Sequence, residues 1–176
     1  MPYKIPVSVL VVIYTPVPSA GLITSDLAAV FGQPSRMASS SIRTGLEVLL
    51  LERADHPGYW QSVTGSQDEG ESLRETAVRE LFEETGLDAN LYTLTDWQVQ
   101  NVYDIYPVWK YRYPPGTTHN TEHVFGLELP AILPARLSPR EHLSYMWLPW
   151  HEAAEKVFSP SNRAAILQLP ERVRHA

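Results

Sequence analysis

Three carboxylates crowd the last turns of one expected helix: Glu80, Glu83 and Glu84. Residues 72–85 are rich in good helix formers, and Gly86 follows where a C-terminal cap favours glycine. At about 100° per residue, the three acids share one arc, beside the arc of Ala77, Val78 and Leu81. They flank the apolar stripe instead of opposing it. Acids near a helix C-terminus oppose the macrodipole by roughly 0.3–1 kcal/mol each. Glu80 and Glu84 also repel each other at i, i+4, and an unpaired carboxylate beside apolar packing is expensive. A divalent cation reverses all three penalties together. Carboxylate oxygens without His or Cys suit Mg2+, or Mn2+, better than zinc. Arg79 either orients its neighbour Glu80 or makes an ordinary surface ion pair, and a solvated acidic face is the alternative for the trio.

The elements that must position this helix alternate between strand and helix patterns. Residues 6–15 are apolar on both alternating faces, which suits a strand buried on both sides of a sheet. Residues 16–45 carry Pro16, Pro18, Gly21, Gly32, Pro34, Gly45 and a serine run. They are expected to form a long loop or insertion, with one helical turn after Thr24-Ser25-Asp26. Strand patterns resume at 46–53 and at Trp60–Val63, the latter ending at Thr64-Gly65. Residues 97–113 are aromatic and extended in character. Two further strands are expected at 121–129 and 142–148, and two helices at 150–157 and 162–169, the second capped by Ser161 or Asn162. This order implies an α/β or α+β sandwich and one domain over residues 1–176.

The stretch from Gly65 to Leu87 resembles the signature of the Nudix hydrolases. That signature is a glycine, five residues, a glutamate, seven residues, then Arg-Glu-aliphatic-x-Glu-Glu-x-Gly-aliphatic. Gly65, Glu71, Arg79, Glu80, Leu81, Glu83, Glu84, Gly86 and Leu87 fill every fixed position. The resemblance implies an α/β/α sandwich with a mixed central sheet and a loop–helix–loop that binds Mg2+ through Glu80, Glu83 and Glu84. It also implies hydrolysis of a nucleoside diphosphate linked to another moiety, or a close analogue, with Arg79 and the box glutamates as the catalytic group.

Blocks outside the box resemble the bacterial branch of that family acting on dihydroneopterin triphosphate, a pterin triphosphate of folate biosynthesis. They include Tyr3-Lys4, Leu10–Tyr14, Trp60–Ser66 with Thr64, Asn120-Thr121-Glu122, Glu141-His142-Leu143 and Ser161-Asn162-Arg163. This resemblance implies Glu141 as a further metal ligand. It implies substrate contacts from Lys4, Arg53, Thr64 and the stretch Tyr103, Asp104, Ile105 and Tyr106. Taken as residues alone, Lys4 and Arg53 are either phosphate ligands or surface charge. Tyr103 and Tyr106 are the candidates to stack a flat heterocycle, while core packing is the simpler reading of Trp109, Tyr111 and Tyr113. The six histidines show no metal-ligand spacing and receive no catalytic role, although His142 adjoins Glu141. The expected products are dihydroneopterin monophosphate and pyrophosphate. A purine nucleoside triphosphate such as dATP or 8-oxo-dGTP is the alternative substrate, and a ligand-binding module without catalysis is the third reading.

Composition narrows the field. The chain has 176 residues, no cysteine, and 14 basic against 20 acidic side chains, for a net charge of −6. Without cysteine there is no disulfide framework and no thiolate chemistry. That charge disfavours broad binding to nucleic acid. No apolar run approaches the roughly 18 to 20 residues of a membrane span, and Met1–Lys4 lacks the features of a secretory signal. A cytoplasmic location is therefore expected. Residues 65–87 hold seven acids and two arginines, 7 − 2 = 5, so −5 of the −6 belongs to this one segment.

Overall fold

A computed structural model describes residues 3–18 and 44–174. Among these residues the strands are β1 (Val7–Pro18), β2 (Thr44–Arg53), β3 (Trp60–Gln61), β4 (Val63–Ser66), β5 (Thr93–Asp104), β6 (His119–Glu128) and β7 (His142–Pro149). The helices are α1 (Leu73–Thr85), α2 (Trp150–Lys156), α3 (Pro160–Leu167) and α4 (Leu169–Arg174).

The doubly apolar pattern of β1 makes it the centre of the sheet. The strand order is β3-β2-β1-β6-β5, with β4 also pairing β1 and β7 pairing β2. The β1–β6 ladder is parallel and the other ladders are antiparallel, so the sheet is mixed. Side chains alternate across a strand, and the two sets enter separate cores. Val9, Val11 and Ile13 pack with Ala77 and Leu81 of α1. Leu10, Val12 and Tyr14 pack on the other face with Ala153, Ala154, Ile166 and Leu169 of the C-terminal helices. The result is the expected α/β/α sandwich.

Several boundaries differ from the sequence expectation. The expected loop at 16–45 begins and ends as strand: Pro16 pairs with Leu46, and Pro18 with Thr44. The prolines are tolerated because of their parity. The Tyr14 carbonyl accepts from Leu129 N, so it points toward β6. Pro16 and Pro18 share that parity, and the β1–β6 ladder stops at Tyr14–Glu128. Their missing N–H groups therefore remove no ladder bond. Residues 19–43, with the expected helical turn after Thr24, lie outside the described residues.

The extended stretch at 97–113 breaks after Asp104. A 3-10 turn over Pro107–Arg112 follows, entered through Pro107, whose fixed φ suits a first helical turn. Ser62 splits the expected Trp60–Val63 strand into β3 and β4. Ser159 caps α3, in place of Ser161 or Asn162, because Pro160 takes the first helical position that proline favours. Asn162 is released for a different task. Its Oδ1 accepts from Ser62 N and its Nδ2 donates to Ser62 Oγ, both at 2.8 Å, clasping α3 to the β3–β4 junction.

Candidate active site

Helix α1 is anchored at both ends. Ser72 caps its N-terminus in a capping box with Glu75, and Gly86 closes its C-terminus in the left-handed region at φ 72°. This fixes the acids of its last two turns. Glu80 and Glu84 are buried, whereas Glu83 stays exposed. The three acids thus separate into two facing inward and one at the rim.

Arg79 ties these acids to the preceding loop. Its Nε and Nη2 donate to the two Glu71 oxygens at 2.7 and 3.0 Å. Its Nη1 donates to Glu80 at 2.8 Å and to Glu83 at 3.3 Å. Its Nη2 also donates to the Ser66 carbonyl at 3.1 Å. A guanidinium has five N–H donors, and all are engaged. The Arg79 hydrogen bonds hold the Glu71 carboxyl down to about 2. Glu80 moves the opposite way. Burial, then the neighbouring Glu84 charge, push it up to about 7 against the pull of Arg79.

Glu84 faces residues far along the chain. β2 and β7 pair so that Arg53 stands opposite His142, and Ala54 N donates to the Glu141 carbonyl. That pairing brings the Glu141–His142 turn against the end of α1. His142 Nε2 lies 2.9 Å from Glu84 Oε2, with both side chains almost fully buried. Ligand atoms of Glu84, Glu141 and His142 all lie within 4.8 Å of one another. Burial pushes the Glu84 carboxyl up while the His142 hydrogen bond pulls it down, with burial the stronger. Two carboxylates and an imidazole converge here, and burial disfavours the charge on Glu84, a donor set that fits a divalent cation.

One cleft of about 1100 Å3 contains this cluster and every candidate substrate residue. Lys4 Nζ donates to Ser66 Oγ at 3.3 Å. Arg53 is clamped by a bidentate pair with Asp55 at 2.8 and 2.7 Å and by a hydrogen bond to Gln61 at 2.8 Å. Its guanidinium stacks 4.9 Å from the centroid of Trp109. Thr64 accepts from Gln61 Nε2 at 3.2 Å. Tyr106 packs edge-on against Trp109 at the rim. Tyr103 is tied by its hydroxyl, which accepts from Asn120 at 3.1 Å. Ile105 is buried. The Asp104 side chain is exposed and pairs with His119 at 3.0 Å.

Sequence reasoning left three of these neighbours aside. Trp109 is half-buried in the cleft wall beside Arg53 instead of packed in the core. Its signal was Pro107, which ends the strand and turns the aromatic run. His142 carried a signal in its adjacency to Glu141. Phe158 also lines the cleft near Arg53, at 6.0 Å, and nothing in its local sequence marks it.

The NUDIX domain profile matches residues 35–169, and the chain belongs to the Nudix hydrolases. It is 40% identical over 169 residues to the dihydroneopterin triphosphate diphosphatase of Escherichia coli (strain K12), covering 95% of this chain and 93% of that one. It is also 40% identical over 121 residues to the Haemophilus influenzae protein of the same name, covering 68% and 75%. The solved E. coli dihydroneopterin triphosphate pyrophosphohydrolase superposes with a TM-score of 0.73 at 39% identity, over 96% of this chain and 97% of that one. A C. elegans Ap4A hydrolase shares the fold, with a TM-score of 0.66 at 16% identity over 97% and 98%. No described helix is long and apolar enough to cross a membrane.

Proposed function

We propose that this chain is a cytoplasmic, single-domain, Mg2+-dependent pyrophosphohydrolase that converts dihydroneopterin triphosphate to dihydroneopterin monophosphate and pyrophosphate. The observation that carries this reading is the meeting of Glu84, Glu141 and His142 in the same cleft as Lys4 and Arg53. The similarity to the E. coli and H. influenzae diphosphatases along most of the chain supports the pterin substrate.

Glu80, Glu83, Glu84 and Glu141 would hold the ion, with Mn2+ as a substitute. When bound, the ion neutralises charge on the phosphate oxygens as a Lewis acid. Arg79 is a positioning residue, because its donors are all engaged with Glu71, Glu80, Glu83 and Ser66. Lys4 and Arg53 meet the phosphate oxygens, and Arg53 is held ready for this by Asp55, Gln61 and Trp109. Tyr103, whose hydroxyl is held by Asn120, offers aromatic surface to the ring, with Thr64, Ile105, Tyr106 and Trp109 shaping the wall toward Arg53. A water attacks phosphorus, the bond to the pyrophosphate leaving group breaks, and a carboxylate of the Glu80, Glu83 and Glu84 group takes the water proton.

The test is a rate panel with Mg2+, comparing dihydroneopterin triphosphate with dATP, GTP and 8-oxo-dGTP, and assaying pyrophosphate against orthophosphate. The highest kcat/KM is expected for dihydroneopterin triphosphate, with pyrophosphate released. A purine triphosphate cleaved fastest replaces the substrate assignment. No Mg2+-dependent cleavage of any member replaces the enzyme by a binding module.

A further inference from the structure

One buried carboxyl group in the cleft has no part in the chemistry just described. Glu122 sits on β6, where it pairs with Ser8 of β1 and Asn101 of β5. It is 5% exposed, yet it lines the cleft with Ser8, Asn101 and Ser161. Its hydrogen-bond partners are neutral: the Ser161 hydroxyl, and the Asn101 amide at a long 3.3 Å. No described cation pairs with it, and burial pushes its carboxyl up. A buried carboxylate has about four lone-pair sites for N–H or O–H donors, and two neutral donors leave it under-supplied.

Its place in the sheet separates it from the phosphate-binding groups. Arg53 is at the end of β2 that pairs with β3, and beside Ser8 the neighbour of β1 opposite β6 is β4, so Arg53 and Glu122 stand about three strand spacings, about 14 Å, apart. A ligand that reaches both must cross β4 and β1, with anionic groups at one end and hydrogen-bond donors at the other. The floor between them is polar or small: Ser8 on β1 and Thr64 and Ser66 on β4.

We propose that Glu122 is a specificity-determining residue that accepts paired N–H donors from the amide and 2-amino edge of a fused pyrimidine ring. Pterin and guanine both present that donor–donor edge. Adenine presents a ring-nitrogen acceptor there, which a carboxylate repels. The inference rests on the reading of the cleft as a triphosphate hydrolase site, and it assigns the ring to the β1–β6–β5 floor with the Ser161 end of α3 as its cover.

The experiment compares wild type with Glu122→Gln on dihydroneopterin triphosphate, GTP and ATP, with thermal melting as a check of folding. Loss of a hydrogen bond to a charged acceptor lowers kcat/KM by about 10- to 100-fold for the first two substrates. ATP turnover falls far less. Wild type is also assayed with xanthosine triphosphate, where an oxo group replaces the 2-amino donor, and is expected to favour GTP over it. This arm needs no variant and stands if Glu122→Gln fails to fold. Binding of neopterin in EDTA, followed by its fluorescence, weakens in the variant without reference to turnover. Equal losses on GTP and ATP, or no preference of wild type for GTP over xanthosine triphosphate, overturn the assignment. If wild type prefers GTP to the pterin triphosphate while Glu122→Gln still spares ATP, the substrate reading fails and the role of Glu122 stands.

Discussion

A Cβ on Gly65 would lie 1.8 Å from the carboxyl carbon of Glu80 and 2.0 Å from one of its oxygens. The box glycine on β4 is therefore the seat of the box glutamate on α1, and the two positions are coupled across 15 residues. Gly65→Ala should displace the Glu80 carboxylate from Arg79. A displacement of about 1 Å at a reacting centre costs about 100-fold in rate, so kcat should fall by that order. A folded Gly65→Ala variant with normal kcat would contradict this coupling.

Glu80 should make the metal-free protein less stable as pH rises. Its carboxyl is raised from the ordinary 4.5 to about 7 in the folded state. Between those values the folded state holds more protons than the unfolded state, so stability falls with increasing pH and levels off above about 7. Glu80→Gln should flatten this slope and raise the melting temperature in EDTA at pH 8, while lowering kcat by orders of magnitude. Melting curves from pH 4.5 to 8.5 with EDTA check the sign.

Glu71 should act on the acid side, and in the opposite direction. Its carboxyl is lowered to about 2 by Arg79. The stability it contributes is fully present above the unfolded value of about 4.5 and is lost as pH falls toward 2. Acid melting of Glu71→Gln should show a shallower loss across that window than wild type.

Removal of the ion should be visible without any substrate. Mg2+ that binds only the folded state raises the melting temperature by mass action. Glu84→Gln and Glu141→Gln should abolish most of that Mg2+-dependent shift and lower kcat by orders of magnitude. A full Mg2+ shift in both folded variants would move the ion elsewhere in the cleft.

Asn162→Ala should cost stability first. It removes both hydrogen bonds to Ser62 and leaves buried polar groups unsatisfied, a loss of roughly 1–3 kcal/mol. For a chain of this size that is about 2–4 °C per kcal/mol in melting temperature. Differential scanning calorimetry measures it.

Local chemistry decided what could be seen in the sequence. The C-terminal limit of α1 was legible because Gly86 carries its capping role in its position, while the Ser72–Glu75 capping box at the other end became clear only in the structure. Burial of β1 on both faces was legible from its unbroken apolar run. The ends of β1 and β2 were hidden, because the tolerance of Pro16 and Pro18 depends on where β6 stops, a fact about a strand a hundred residues away. His142 was hidden for a similar reason: its contact with Glu84 exists only through the β2–β7 register. Trp109 looked like a core residue because the turn at Pro107 changes which way an aromatic run faces.

The two prolines also affect how this molecule meets other copies of itself. An exposed strand edge with free N–H groups is a template for recruiting another chain, the first step toward fibrils. Beyond Tyr14, the edge of β1 that faces away from β2 has lost two of those donors in alternate positions. The doubly buried central strand of the sheet thus leaves the shelter of β6 with that edge already blunted against self-assembly.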